Sequence, residues 1–408
     1  MRAERTARPA RRLVVMLGAL SAFGPLSMDM YLPGLPALTR ELGSSASIGQ
    51  LTLTGCMLGI AAGQLIVGPL SDALGRRRPL VAGLVGYVVA SAACALAPSM
   101  GALIALRVIQ GIAGGAGVVI ARAIVRDLYG GALAARVFAL LMMVTGVAPV
   151  LAPLVGGQVL AFTSWRGIFV LLAAIGVPLL IASLLVLPET LAPDRRHGGG
   201  LVITLRTFRR LLGDRGFSPH AVSFSLSFAA MFAYIAGSSF VLENVYGTSA
   251  QLFSVVFAVN SAALVTMSQL GGRVVERVGS GYLLRRGLIG TAAACVLALL
   301  ATIVHAGLAP LLASFFVLLG ANGLVLPNGT ASALHDQRGA LGSASALLGL
   351  GQFGSGAVIA PLVGLAGPRD PLPMAVAMAV CGVGALVVNL ILAPPTRSPR
   401  AVVDRSAA

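Results

Sequence analysis

Hydrophobic and polar positions alternate along this chain on a long period. Twelve stretches, each of about 20 residues, run almost without charge. They lie at 13–32, 48–70, 79–97, 100–121, 137–160, 167–187, 219–242, 251–271, 287–306, 308–330, 341–365 and 373–394. A helix of about 20 apolar residues crosses a hydrocarbon layer of roughly 30 Å, so each stretch predicts one membrane-spanning helix. The expected fold is therefore an all-α membrane protein of twelve transmembrane helices. The first stretch follows Arg11 and Arg12 as a signal peptide would. It lacks a small-x-small cleavage site and contains Asp29. An uncleaved first helix is therefore expected.

Composition agrees with lipid as the solvent. The 408 residues are 57% hydrophobic and 10% charged. Soluble chains carry about 25% charge. The 51 glycines suit close packing between membrane helices. The formal net charge is +16, and all 29 basic residues are arginine. Nucleic acid is not the expected partner, because no continuous basic face is interleaved with stacking aromatics. Instead the arginines sort by side. With both termini on one side, the connections there hold 25 of them, and the opposite connections hold only Arg40, Arg166 and Arg369. The positive-inside rule then predicts cytoplasmic termini, with membrane lipids around the spans.

The longest polar stretch, 188–218, divides the chain into an N-terminal six-helix unit (1–187) and a C-terminal one (219–394), with a tail at 395–408. It reads as a cytoplasmic linker with an amphipathic piece around Leu205 to Leu212 on the membrane surface. An internal repeat supports two related halves. Gly68, Asp72 and Gly75 follow the second span, and Gly272, Glu276 and Gly279 follow the eighth. The string Ala-Pro-Leu-Val-Gly occurs at 152–156 and again at 360–364. Duplicated bundles of this kind place a substrate between the halves, near mid-membrane.

Several motifs resemble the major facilitator superfamily along the whole chain. The loop Gly68-Pro69-Leu70-Ser71-Asp72-Ala73-Leu74-Gly75-Arg76-Arg77-Arg78 is similar to its signature between the second and third helices. Arg107-Val108-Ile109-Gln110-Gly111 is similar to the fourth-helix signature. Residues 146–157 resemble the antiporter signature, with Ala148-Pro149 in place of the usual Gly-Pro and a second proline at Pro153. Asp29-Met30-Tyr31-Leu32-Pro33-Gly34-Leu35-Pro36, together with 237–247 and 327–331, resembles the Bcr/CflA drug-resistance branch. The resemblance implies two pseudo-symmetric six-helix bundles. It also implies proton-coupled export across a bacterial inner membrane, with no cofactor.

Asp29 and Arg107 are the clear charges inside spans. A charge there costs roughly 3 kcal/mol on insertion scales. Asp29 is the expected proton carrier, and Arg107 and Gln110 a polar cluster at similar depth. Gly68, Asp72, Gly75 and Arg76 are the expected conformational latch, with Asp72 facing either Arg76 or the start of the eleventh helix. Gly146, Pro149, Pro153, Gly156 and Gly157 are expected to form a bent, closely packed fifth span. Tyr31, Phe232, Tyr234, Phe240, Asn260, Asn322, Asn328 and Gln352 are candidates for an apolar substrate cavity with a few polar groups.

The cysteines Cys56, Cys94, Cys295 and Cys381 have no metal-ligand spacing, so no metal is expected. No glycine loop followed by Lys offers an ATP site, and the four histidines form no catalytic set. The expected function is export of small, mostly apolar drugs by a monomeric proton antiporter. Export of a sugar, nucleoside or amino-acid derivative is the alternative, and a non-transporting sensor or membrane enzyme the reading from another class.

Overall fold

The computed structural model describes residues 11–192, 201–335, 337 and 341–393. The elements are α1 (Arg11–Asp29), a 3-10 turn (Leu32–Gly34), α2 (Leu35–Glu41), α3 (Ala46–Leu74), α4 (Arg77–Ala95), α5 (Met100–Leu128), α6 (Gly131–Phe162) and α7 (Trp165–Val186). Then come α8 (Leu201–Leu212), α9 (Ser218–Phe240), a π-helical turn (Val241–Val245), α10 (Ala250–Val278), α11 (Ser280–Ile303), α12 (Leu308–Leu334), α13 (Leu341–Val363) and α14 (Leu372–Leu392). Among the described residues, twelve helical segments are long and apolar enough to cross a membrane. The middle of the linker, 193–200, and the tail at 395–408 lie outside the described residues.

Three helices overrun their hydropathy boundaries at the arginine-rich end. The helices α3, α5 and α10 run on to 74, 128 and 278, several residues past the apolar stretches. Hydropathy marks the hydrocarbon, whereas a helix stops only where its backbone groups find other partners. The end bearing the arginine-rich connections is called the basic end below. At the opposite end, Ser45, Ser99 and Ser249 start α3, α5 and α10, and each side chain accepts a backbone N–H three residues on. Such caps satisfy donors that a helix start leaves free. At the basic end, α3 and α10 stop at Gly75 (φ +92°, ψ 166°) and Gly279 (φ +83°, ψ 149°). Only glycine adopts that region freely. The two positions that the sequence repeat pairs therefore share one backbone conformation.

The first span is not one helix. It breaks after Asp29, because Pro33 has no N–H for the Asp29 carbonyl four residues back, while Pro36 sits in the first turn of α2, where proline is accommodated. The break turns the Tyr31 ring into the first bundle, where it is fully buried. The amphipathic piece of the linker is α8, whose Leu211 packs with Phe217, Phe224 and Leu348 beneath the second bundle.

Within the first bundle, α3 and α5 meet backbone to backbone. A Cβ on Gly59 would stand 2.3 Å from the Val108 carbonyl, and one on Gly111 2.3 Å from the Cys56 carbonyl. Lipid supplies no hydrophobic drive between helices, so small residues permit the close contact that holds them. The second bundle uses the same device at Gly323, close against the Leu264 carbonyl of α10.

The bundles join at the end opposite the basic one. Pro361 has no N–H, so the Ala357 carbonyl one turn earlier loses its helical partner. Thr54 of α3 supplies it with a hydroxyl at 2.9 Å. The Pro361 carbonyl accepts from the Ser47 hydroxyl at 2.7 Å. That carbonyl lies in the last turn of α13, where helical partners run out. Gln50 donates to the Ala236 carbonyl at 3.0 Å, and Gln251 to the Gly157 carbonyl at 3.2 Å. At the basic end a cavity of about 470 Å³ opens between α3, α5, α6 and α13. The molecule is closed at one end and open at the other.

Gly364 tests that closure. A Cβ there would stand 2.6 Å from both the Ser47 backbone nitrogen and the Gln50 Oε1. Overpacking costs about 1–3 kcal/mol, so Gly364→Ala is expected to shift the balance about ten- to hundredfold toward separation at this end. Spin-label distances between positions 45 and 365 would read it. A distribution identical to the parent's would show that the contact does not govern closure.

Candidate functional site

Arg107 lies fully buried in the first bundle. Its Nε donates to the Thr52 carbonyl of α3 at 3.4 Å, and its Nη1 to Gln110 Oε1, one turn on, at 2.5 Å. Gln110 in turn donates to Ser91 of α4 at 2.7 Å. The guanidinium lies 4.4 Å from the Tyr31 ring centre and 5.7 Å from that of Phe169. Tyr31 shares a 2.8 Å hydroxyl hydrogen bond with Thr52. Nη2 has no hydrogen-bond partner. No carboxylate pairs with Arg107 among the described residues. Two aromatic faces, worth about 0.5–2 kcal/mol each, and two hydrogen bonds offset only part of the cost of burying such a charge.

Asp29 sits at the end of α1 with 7% exposure. No hydrogen bond or ion pair engages it among the described residues. Its chain neighbours Met28 and Met30 share one buried apolar cluster with Tyr31 and Cys56 of the first bundle and Tyr234 of the second. The two charges thus share a neighbourhood without forming a pair. Glu243, in the π-helical turn after α9, is a second carboxylate with a buried, unpartnered oxygen.

The loop at the basic end is a hub. Arg76 donates to Asp72 at 2.5 Å, to Asp127 at the end of α5 at 2.8 Å, and to Ser71 at 2.8 Å. Glu189, just beyond α7, accepts from the backbone nitrogens of Arg76 and Arg77 at 2.8 and 3.3 Å. Burial opposes the Arg76 charge, but the hydrogen bonds to Asp127 and Asp72 outweigh it and hold its pKa above the ordinary arginine value. Hydrogen bonds to the charged form favour that form. Asp72 thus takes the first of its two expected partners, and its side chain remains half exposed. A Cβ on Gly68 would meet Val119 of α5 at 3.7 Å, an ordinary contact, so no close approach requires glycine there. Asp127 and Glu189 were missed by sequence reasoning. They are two of nine acids that share that side with 25 arginines, and no local signal set them apart.

The fifth-span residues lie on α6 against two elements. Gly156 lies against the Met30 carbonyl of the first bundle, and Gly157 faces Ser254 of α10 in the second. Gly146 also faces α10, at Val265, and Pro149 and Pro153 lie inside the helix.

The expected cavity residues scatter. Tyr234 accepts from Asn260 at 3.0 Å, and Asn322 joins Ser227 to Thr291, all within the second bundle. Asn328 donates to its own helix at Leu324. Phe240 is buried at the closed end beside Gln50 and Gly364. Phe232 stacks on Phe228, which meets Phe353 edge-on at 6.3 Å. Gln352 is half-buried on α13. None of these eight residues lines the basic-end cavity, whereas Phe353 does.

Comparison with known proteins fits this architecture. Residues 17–361 match the Major Facilitator Superfamily. The chain is 39% identical over 380 residues to an uncharacterized MFS-type transporter of Bacillus subtilis, YdgK, covering 93% of this chain and 94% of that one. It is 30% identical over 368 residues to a bicyclomycin resistance protein homolog of Haemophilus influenzae, covering 90% and 92%. It is 34% identical over 278 residues to a chloramphenicol resistance protein of Pseudomonas aeruginosa, covering 67% and 65%. A bacterial homolog of the human lysosomal transporter Spinster shares the fold, with a TM-score of 0.71 at 17% identity over 95% and 96% of the two chains. The chain belongs to the major facilitator superfamily, in its Bcr/CflA-type branch: a multi-pass bacterial membrane transporter of a small-molecule substrate, and not an enzyme.

Proposed function

We propose that this chain exports small, mostly apolar drugs in exchange for protons. The halves 1–187 and 219–394 rock about a central path, joined by the 188–218 linker. The basic end faces the cytoplasm of a bacterial cell, the span lies in its inner membrane, and the working unit is a monomer. Asp29 carries the proton, and the Arg107–Gln110 cluster helps to release it. The observation that carries this reading is Asp29 itself: a buried carboxylate whose chain neighbours Met28 and Met30 belong to an apolar cluster spanning both halves, with no hydrogen-bond or ion-pair partner among the described residues. Such a group in a membrane is costly to retain without a task. The relatives named for bicyclomycin and chloramphenicol resistance support drugs as the cargo.

Everted membrane vesicles give the test. Acidifying their interior should drive chloramphenicol inward, and drug entry should release protons. Accumulation that persists after an uncoupler collapses the gradient would remove proton coupling from the reading.

The latch makes a second expectation. Asp72 and Arg76 hold a partly exposed, charge-assisted hydrogen bond at the open end. When that end closes, the same anion meets the positive start of α13. Asp72→Asn is expected to slow export about tenfold, the equivalent of ~1.4 kcal/mol, while membrane levels stay at the parental value. Parental export by this variant would rule out the latch.

A further inference from the structure

The basic-end cavity carries a charge that the export cycle described above does not use. Its wall is apolar except for Gln64, Ser345 and the two guanidinium groups of Arg122 and Arg126, and it holds no carboxylate. Arg122 and Arg126 stand one turn apart on α5, both exposed in the cavity. Neither has a hydrogen bond or ion pair with a described residue. The nearby acids are taken: Asp127 and Asp72 bind Arg76.

Arg126 lies two residues from the end of α5, and the positive-inside rule explains it. The same rule covers the side on which Arg122 lies, six residues from the same end, but not its facing the cavity rather than lipid. Like charges at this spacing repel, so the pair is retained against its own electrostatics. Phe138 of α6 and Phe353 of α13 face the same space from the two bundles.

We infer that this cavity selects solutes bearing one anionic group, a carboxylate, on an aromatic or aliphatic body. The carboxylate takes the fork of Arg122, with Arg126 behind it, and the apolar body packs on Phe138 and Phe353. A cationic drug meets two like charges at the entrance and is excluded. A negative-inside potential also favours outward movement of an anion. The inference deepens the export reading and rests on it for direction, but the binding preference stands on the cavity alone.

The test uses the full chain in detergent and three probes of one shape: naphthalene-2-carboxylate, its neutral carboxamide and the cationic 2-naphthylmethylamine. Titration calorimetry should find the carboxylate bound at least about tenfold tighter than the amide, with the amine weakest. Arg122→Gln should bring the carboxylate-to-amide ratio close to one, and Arg122→Lys should recover part of it. Equal binding of amine and carboxylate would overturn the inference. So would a parental ratio in Arg122→Gln, or displacement of the carboxylate by phosphatidylglycerol, which would make the arginines a lipid site.

Everted vesicles then separate the two claims. A tenfold preference in binding, with no probe or chloramphenicol moved by a pH gradient, would sink the export reading and leave the charge preference standing. Gradient-driven chloramphenicol movement without any carboxylate preference would do the reverse.

Discussion

Asp29→Asn is expected to abolish accumulation of drug against a gradient, while downhill exchange continues. A single proton moved through a pH difference of one unit supplies about 1.4 kcal/mol. A potential of about 100 mV adds about 2.3 kcal/mol for the same charge. Together these sustain roughly a 500-fold gradient of a neutral solute per proton exchanged. Asn keeps the size and polarity of the side chain but carries no titrating proton, so that whole factor should disappear. The structure favours a clean result, because no hydrogen bond or ion pair of Asp29 is lost among the described residues. Drug uptake and internal pH followed together in everted vesicles decide the matter. Undiminished proton release on drug entry would move the proton path elsewhere, and Glu243, whose Oε1 is buried without a partner, is then the group to replace.

Arg107→Met should silence export while barely changing stability. Most buried arginines are held by a carboxylate, and removing them leaves an orphaned anion. Here no carboxylate is left behind among the described residues, and Nη2 is already unsatisfied. Losing that orphan relieves about 1–3 kcal/mol. The Gln110 and Thr52 oxygens that Arg107 now serves cost a similar amount when abandoned. The net change in thermal stability is therefore small. Export should fall at least about 100-fold, the equivalent of ~2.7 kcal/mol. Arg107→Lys should not restore it, because a single ammonium cannot reach Thr52 and Gln110 while lying flat on Tyr31. A variant that unfolds in step with its loss of export would make Arg107 a packing residue, and the coupling role would be withdrawn.

The spans were legible because each is a local property. A run of about 20 uncharged residues is costly anywhere but in lipid, whatever its neighbours do. The break at Asp29 was written in Pro33, but the hydropathy of the run concealed it. The repeat was legible as well: Gly75 and Gly279 stand in corresponding places and adopt the same glycine-only backbone. Asp29 and Arg107 stood out since charge inside a span is rare. What they touch was not legible, because contact depends on how helices rotate and how deeply they interlock.

Sequence alone thus determined the number of spans, their division into related halves and the few charges embedded in them. Hydropathy, glycine geometry and charge are properties of single residues and short windows. The tertiary structure alone decided the pairing of those parts. It set Arg107 against two aromatic rings with no acid beside it among the described residues, and it joined the loop holding Asp72 and Arg76 to Asp127 and Glu189 from two other segments. It also committed Tyr234, Asn260 and Asn322 to bonds inside the second bundle, and brought Arg122 and Arg126 to the open cavity instead. The reason is physical. In lipid, helices associate by shape and by hydrogen bonds between distant segments, so the partners of a polar group follow from packing that no local window contains.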